Sequence, residues 1–153
     1  MASREEWGNI TWNLFHGIVE KIKEDKFSQS KELIIKIIKL VCGYLPCPEC
    51  SQDATKSLNA FNFNLIRSKT DLKNFLYNFH NSINKKTKKQ EFKREELDIK
   101  YKNINLIEII NNFFRIYSKN NRSEKMMMHN LGKKKFLQIL KNNLILLINN
   151  LEK

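Results

Sequence analysis

Two cysteines separated by two residues are the part of this sequence best suited to chemistry. Cys47 and Cys50 lie in the segment Leu-Pro-Cys-Pro-Glu-Cys-Ser. Two thiols at this spacing can alternate between a dithiol and a disulfide, which makes the pair a candidate redox centre. The same pair could instead bind a metal ion, belong to a thioredoxin-like motif, or be buried without a chemical role. The rest of the chain has to decide among these possibilities.

Few other residues are available as metal ligands. Beyond the pair, the chain has one more cysteine, Cys42, and three histidines, His16, His80 and His129. They form no second Cys-x-x-Cys and no His-x(3–5)-His, whereas structural zinc sites use about four ligands at such spacings. We therefore expect no metal site. Cys42 lies in an apolar run and is expected to be a buried, unreactive thiol.

The cysteine pair is predicted to begin a helix. Pro46 stops the preceding apolar helix, and Pro48 suits the first turn of a new one. Cys47 then lies near the N-cap and Cys50 in the first turn, where free N–H groups and the helix dipole stabilise a thiolate. This location favours redox chemistry over inert packing. A thioredoxin-like motif would need a βαβ framework, for which the sequence has no pattern.

Helical periodicity extends through the rest of the chain. Only 4 Gly and 2 Pro occur in 153 residues, and no alternating strand pattern is present, so we expect an all-α protein. The predicted helices cover about residues 3–24, 31–43, 48–58, 71–86, 92–102 and 106–117, followed by a last helical segment. The polar runs 25–30 and 119–125 are predicted to be loops.

The first and fourth predicted helices carry aromatic and polar residues beside their apolar stripes. These residues are Gly8, Trp12 and His16 in the first helix and His80, Asn81 and Asn84 in the fourth. Four-residue steps place the first three on one face, and Gly8 leaves room there for another group to approach the backbone. Serines followed three positions later by an acidic residue, Ser3 and Ser68, predict where the two helices start.

Leucines in the last segment repeat at spacings of three and four residues. They are Leu137, Leu140, Leu144, Leu147 and Leu151. This heptad seam predicts that the segment packs against the preceding helix as a helical hairpin, with self-association or partner binding as alternatives.

Charge and hydropathy limit the possible partners. The formal net charge of +12 fits nucleic acid, an acidic protein or a phosphate-bearing cofactor. The N-terminus has no apolar signal-like region and no run reaches the roughly 20 apolar residues of a membrane span, so we expect a soluble protein made in the cytosol. Because the cytosol disfavours structural disulfides, a Cys-x-x-Cys made there indicates redox or metal chemistry.

Three motifs in order carry a resemblance to a known family. They are Trp7–His16 (WGNITWNLFH), Cys47–Cys50 (CPEC) and His80–Lys86 (HNSINKK) with Lys89 and Phe92. In this order they resemble the Erv/ALR family of FAD-linked sulfhydryl oxidases, over about residues 5 to 95. The lysine- and asparagine-rich composition is most similar to the versions of large cytoplasmic DNA viruses.

The resemblance implies a fold, a cofactor and a division of the chain. Residues 1–103 would form a four-helix bundle with a short fifth helix that holds FAD without a covalent bond. Residues 104–153 would be a helical extension that serves packing, dimerisation or partner docking.

The resemblance also implies which side chains bind FAD. On the first helix the flavin and adenine pocket would be lined by Gly8, Thr11, Trp12 and His16. The adenine, ribose and phosphate groups would be held by His80, Asn81, Asn84 and Lys86, with Lys89 and Phe92 closing the site. Leu45 separates Tyr44 from Pro46, unlike the usual family pattern, so no flavin contact is assigned to Tyr44. Tyr101 is a candidate replacement for a tryptophan that the family often has after Phe92.

The implied reaction makes the two cysteines unequal. A substrate thiolate would attack Cys47 and release Cys50 as a thiolate, from which electrons pass to FAD and then to O2, giving H2O2. The expected substrate is a protein dithiol such as a thioredoxin-like carrier, because the chain has no second shuttle pair. A homodimer in the cytoplasm is expected, in the host cytoplasm or virion if the chain is viral.

One alternative belongs to a different class of protein. The charge and helical composition also fit a basic binding module for nucleic acid or an acidic protein, stapled by zinc through Cys47 and Cys50. Of the two readings we favour the oxidase, and we do not expect nucleic acid as a partner.

Overall fold

The computed structural model describes residues 3–119 and 124–152, with side chains from residue 132 onwards in the second range. The helices are α1 (Arg4–Lys21), α2 (Phe27–Cys42), α3 (Pro48–Ala60), α4 (Lys69–Lys86), α5 (Arg94–Tyr101), α6 (Leu106–Tyr117) and α7 (Glu124–Leu147). Short 3₁₀ turns cover Glu24–Lys26, Phe63–Leu65 and Ile148–Asn150. No β-strand occurs in the described residues, and the all-α prediction is confirmed.

The structure confirms the helix starts that were predicted from the capping serines. Ser3 Oγ accepts a hydrogen bond from the Glu6 N–H at 3.1 Å, and Ser68 Oγ accepts one from the Asp71 N–H at 3.0 Å. Each serine thereby satisfies an N–H group that has no partner within its helix. These caps begin α1 and α4.

Helices α2 and α7 begin within the two segments that were predicted to be loops. The loop predicted over 25–30 is wrong from Phe27 onwards, because α2 already begins there. Phe27 is buried, so the first turn of α2 is anchored in the core although the residues after it are polar. In the second predicted loop, 119–125, residues 120–123 lie outside the described residues, and α7 begins at Glu124.

Helix α1 lies at the centre of the fold. It packs against α2, α4, α5 and α6. Gly17 allows α6 to come close, since a Cβ at this position would lie 2.7 Å from Ile104 Cδ1 and 3.0 Å from Leu106 Cδ1. A salt bridge from Lys73 on α4 to Glu20 on α1, at 3.0 Å, also joins α4 to α1.

The C-terminal helices pack onto the bundle. Helix α6 packs mainly against α1, and α7 mainly against α2, rather than mainly against each other as in a simple hairpin. Leu140, Leu144 and Leu147 of the heptad seam are buried in the same core as the residues of α1 to α4. After α7, Leu151 pairs antiparallel with Ile22, just past the end of α1. Within the part of the chain that the structure describes, no helix is long and apolar enough to span a membrane.

Candidate functional site

The cysteine pair forms a disulfide at the N-terminus of α3. The Cα atoms of Cys47 and Cys50 are 5.2 Å apart. Cys47 is the N-cap residue, as predicted: its Sγ accepts a hydrogen bond from the Cys50 N–H at 3.2 Å, and Pro48 occupies the first turn. The pair therefore lies at the positive end of a helix dipole, where a thiolate is stabilised.

Buried Ser51 holds the loop that leads to the disulfide. Its Oγ accepts a hydrogen bond from the Leu45 N–H at 2.8 Å and donates to the Leu45 carbonyl at 3.5 Å. Leu45 is buried as well, so the loop is fixed to the first turn of α3. With the loop held in this way, Cys50 lines an adjacent cleft and Cys47 does not.

The cleft beside Cys50 is lined mainly by α1, α3, α4 and the turn after α4. It has about 820 Å³ of space between protein atoms, a volume that includes the open solvent at its mouth. Six of the ten predicted cofactor residues line it, namely Gly8, Thr11, Trp12, Asn84, Lys86 and Lys89. The structure thus brings residues from both ends of the family-like region to one place.

The other four predicted residues lie outside the cleft lining. His80 stacks on Trp12 with ring centroids 4.0 Å apart and planes at 10°. His16 Nε2 and His80 Nδ1 are hydrogen-bonded at 2.9 Å, and the Phe92 ring centroid is 5.0 Å from that of His80. These side chains support Trp12, which itself lines the cleft.

Asn81 is the fourth of these residues, and it fastens the segment after α4. Its Nδ2 donates to the Phe92 carbonyl and its Oδ1 accepts from the Phe92 N–H, both at 2.8 Å. Asn84 Nδ2 donates to the Gln90 carbonyl at 3.2 Å, and the Asn84 carbonyl accepts from the Lys89 N–H at 2.8 Å. Because the amide of Asn81 is occupied by backbone, its part in the site is to hold Phe92.

The two histidines are neutral at physiological pH. Burial, together with the nearby His80, Lys100 and Arg94, lowers the pKa of His16 to about 3. Burial, with smaller contributions from Lys100 and Lys89, likewise lowers the pKa of His80 to about 4. Two neutral rings can share the hydrogen bond between them, with one nitrogen donating and the other accepting.

The cleft suits a flat cofactor that carries phosphate. A Cβ added at Gly8 would have no atom within 4 Å, so another group has space to approach α1 there. The Trp12 indole, braced by His80, is an aromatic surface for stacking. Lys86 and Lys89 are exposed cations on the cleft lining that can offset phosphate charge.

A metal is a poor fit to the described residues. Among them, no group of three or more His, Cys, Asp or Glu side chains is arranged to hold a metal ion. The side chain of His129 lies outside the described residues.

The sequence patterns did not identify several of the residues that line the cleft. Arg4 precedes Gly8 by four positions and Asp53 follows Cys50 by three, so helical spacing alone could have found both. Cys42 also lines the cleft; it is buried as predicted, and burial raises its pKa to about 12.

The sequence did not assign a cofactor contact to Tyr44 or Tyr101, and the structure places these two tyrosines differently. Tyr44 does not line the cleft, and its ring stacks on Phe136 of α7 at 4.9 Å. Tyr101 is buried and stacks on His16 at 4.7 Å, while its hydroxyl donates to Asn13 Oδ1 at 3.1 Å. Tyr101 therefore belongs to the packed group behind Trp12.

Comparison with curated proteins finds relatives of low identity. A protein of Invertebrate iridescent virus 3 named "Putative FAD-linked sulfhydryl oxidase 096R" is 23% identical over 97 residues, which are 63% of this chain and 66% of the relative. FAD-linked sulfhydryl oxidase ERV1 of Arabidopsis thaliana is 24% identical over 65% of this chain and 52% of its own length. Mitochondrial FAD-linked sulfhydryl oxidase ERV1 of Saccharomyces cerevisiae is 25% identical over 58% of this chain and 46% of its own length.

These relatives are longer than the region that they share with this chain. The chain spans about half to two thirds of the length of the curated relatives it matches. No solved structure was found to match it. The model of the Erv1 / Alr family matches residues 9–102, which include the cysteine pair and all the predicted cofactor residues except Gly8. The chain therefore belongs to the Erv1/Alr family.

Proposed function

We propose that this chain is an FAD-dependent sulfhydryl oxidase that forms disulfides in protein dithiol substrates. The observation that carries the proposal is the disulfide at the edge of the cleft, with Cys50 on the cleft lining beside Trp12 and the lysines. Relatives named as FAD-linked sulfhydryl oxidases support it.

FAD is the cofactor in this proposal. Gly8, Thr11 and Trp12 would line its binding site, Lys86 and Lys89 would offset its phosphate charge, and the remaining predicted residues would support that wall. When bound, FAD would supply a two-electron acceptor for the reduced cysteine pair, with O2 as the proposed final acceptor and H2O2 as the product.

The cysteine pair carries out the thiol chemistry. A substrate thiolate attacks Cys47 Sγ, so that a mixed disulfide forms and the bond to Cys50 breaks. Cys50 leaves as a thiolate in the first turn of α3, where the helix dipole and free N–H groups lower its free energy. The second substrate thiolate attacks the substrate sulfur of the mixed disulfide, which releases Cys47 as a thiolate. The substrate has then lost two electrons and two protons, and the pair has gained the electrons.

The proposed donor is a protein dithiol of the thioredoxin-like carrier type. Cys47 is half-buried and does not line the cleft, which supports attack from the protein exterior while the cleft holds the cofactor. A small carrier with an exposed dithiol meets that steric requirement.

We also propose a homodimer, on the basis of the family resemblance. Helix α6 covers part of α1, and α7 covers part of α2. A dimer interface would therefore use the uncovered parts of α1 and α2 or another face of the protein. Light scattering of the purified chain tests it, and a mass equal to one chain at all concentrations would rule the dimer out.

The proposed location is the cytoplasm, or the host cytoplasm and virion if the chain is viral. The iridescent virus relative supports the viral comparison. Fractionation of expressing cells tests the location, and recovery of the protein only from the secretory pathway would contradict it.

One purification tests the proposed activity. The purified protein should be yellow, release flavin on denaturation, and consume O2 with dithiothreitol while producing an equal amount of H2O2. A colourless protein that retains no added FAD and consumes no O2 would refute the oxidase. DNA binding with a steep salt dependence, or bound zinc, in that colourless sample would instead support the basic binding module.

A further inference from the structure

A tyrosine far outside the family match reaches the wall of the cleft. Tyr117 ends α6, and its hydroxyl oxygen lies 2.5 Å from Oγ1 of Thr11, a residue that lines the cleft. The two residues are 106 positions apart, and the family match ends at residue 102. The contact therefore joins the C-terminal extension to the candidate cofactor site.

The available hydroxyl protons determine which of the two residues donates this hydrogen bond. Thr11 Oγ1 lies 2.6 Å from the Trp7 carbonyl and donates its one proton to it. The Tyr117 hydroxyl must then donate to Thr11 Oγ1. Burial raises the pKa of Tyr117, so the hydroxyl keeps its proton at neutral pH. With a donor on one side and an acceptor on the other, the Thr11 side chain is held in one rotamer.

Packing fixes Tyr117 in turn. Its ring is 1% exposed and stacks on Phe113 with centroids 4.0 Å apart. Phe136 of α7 lies 6.2 Å from Tyr117 and stacks on Tyr44, three positions before Cys47. One aromatic group from α6 and α7 thus contacts Thr11 on the cleft lining and Tyr44 in the loop that leads to Cys47.

We propose that Tyr117 is a positioning residue of the cofactor cleft, whose hydroxyl holds Thr11 in the orientation that the bound cofactor requires. The C-terminal extension is then a working part of the site. This inference rests on the proposed function, with FAD as the cofactor.

The test compares FAD release from holoproteins that contain all 153 residues. Each protein is diluted, and the fluorescence of released flavin gives the dissociation constant. Tyr117→Phe keeps the stacked ring and removes only the hydroxyl, and it should weaken FAD binding about three- to tenfold. Thr11→Val should weaken it at least as much. Tyr77→Phe, a change of the same kind outside the cleft lining, is the matched control and should leave the dissociation constant unchanged.

The double variant separates positioning from general stability. If Tyr117 acts through Thr11, adding Tyr117→Phe to Thr11→Val should cause no further loss of affinity, since the acceptor is already gone. A single variant with the wild-type dissociation constant, or an equal loss in both backgrounds, would overturn the inference and leave the oxidase proposal standing. A wild-type protein that binds no FAD would refute both. Should Tyr117→Phe fold poorly, Thr11→Val alone decides: wild-type affinity in that variant overturns the inference.

Discussion

Cys47 and Cys50 have different surroundings although they are three positions apart. Cys47 Sγ caps α3 and does not line the cleft, whereas Cys50 does. In the proposed reaction this difference assigns the substrate to Cys47 and the cofactor side to Cys50. Cys42 also lines the cleft, but its pKa is raised to about 12 by burial, so it remains a thiol rather than a reactive thiolate.

Replacing the cysteines one at a time should separate these roles. Cys50→Ser should abolish flavin reduction, and Cys47→Ser should abolish turnover with dithiols, because each removes one sulfur of the disulfide. Cys42→Ser is the matched control and should keep most of the turnover. Stopped-flow flavin absorbance and O2 consumption measure the two steps. Complete loss of activity in a folded, FAD-loaded Cys42→Ser protein would show that this thiol takes part.

Gly8 offers a second test at the scale of one residue. Gly8→Ala should raise the unfolding free energy of the flavin-free protein by about 0.5–1 kcal/mol, since alanine stabilises a helix interior and meets no atom within 4 Å. Gly8→Leu should lower FAD affinity, because its longer side chain extends into space on the cleft lining. Chemical denaturation and flavin retention measure the two effects. Unchanged flavin retention in Gly8→Leu would be evidence that the cofactor does not approach α1 at this residue.

The histidine pair predicts a pH dependence of stability. The pKa values of His16 and His80 are about 3 and 4 in the folded chain, against about 6.5 when unfolded. Between pH 6.5 and 4 the unfolded chain binds more protons, so the unfolding free energy falls as the pH falls. For the two histidines together we expect a loss of roughly 3–4 kcal/mol from pH 7 to pH 5 in the flavin-free protein.

A single replacement isolates this contribution. In His80→Gln the decline between pH 7 and pH 5 should be clearly smaller, because one of the two groups that gain a proton on unfolding is gone. Urea denaturation at several pH values measures it. An identical decline in both proteins would mean that other groups cause the pH dependence.

At the scale of elements, α4 builds the cleft wall together with the segment that follows it. Asn81 and Asn84 bind the backbone of this segment through four hydrogen bonds. The segment also contains Lys88 with φ of 60°, a left-handed conformation that costs free energy in a residue with a side chain. The hydrogen bonds from α4 therefore help to hold a turn that its own sequence does not favour.

Removing the Asn81 amide should loosen this segment. In Asn81→Ala the Phe92 N–H and carbonyl lose their partners, so we expect a loss of about 1–3 kcal/mol and faster amide exchange over residues 87–92. Asn78→Ala is the matched control, since Asn78 is an exposed residue of the same helix. Hydrogen exchange measured by mass spectrometry reports on the segment directly. Equal exchange in the two variants would contradict this role of Asn81.

At the scale of the whole molecule, the extension and the family-like region share one core. Phe113, Phe136 and Leu140 are buried in the same cluster as Leu14 and Ile34. Lys119 also forms a salt bridge with Glu6 at 3.0 Å, although an exposed pair of this kind adds little stability. Because the apolar contacts are continuous, the two regions should unfold together.

This continuity predicts a single cooperative unfolding transition. Tryptophan fluorescence reports on α1, which holds Trp7 and Trp12, and far-UV circular dichroism reports on all helices, so the two curves should coincide. Phe136→Ala on α7 should lower the free energy of unfolding obtained from each curve by about 3–5 kcal/mol. Leu146→Ala, at an exposed position of the same helix, should change this free energy little. Two separate transitions would show instead that the extension folds as an independent unit.

Much of the local structure and several site residues could be predicted from the sequence. The caps at Ser3, Cys47 and Ser68 and the four-residue steps of α1 depend on neighbours within one or two helical turns, so they are written in the local order of residues. The family motifs added the expected roles of residues that lie on those helices. The early start of α2 was missed, because burial of Phe27 outweighs the polar residues that follow it.

The arrangement between distant segments required the tertiary structure. The sequence predicted which helices carry the candidate cofactor residues, but not that the Asn81 amide is occupied by the Phe92 backbone or that α7 packs on α2. Nor did it indicate that Tyr117 donates to Thr11 across 106 positions. Periodicity identifies the buried face of a helix, whereas the partner of that face depends on how all the helices fill one core, and this packing is decided only when the whole chain folds.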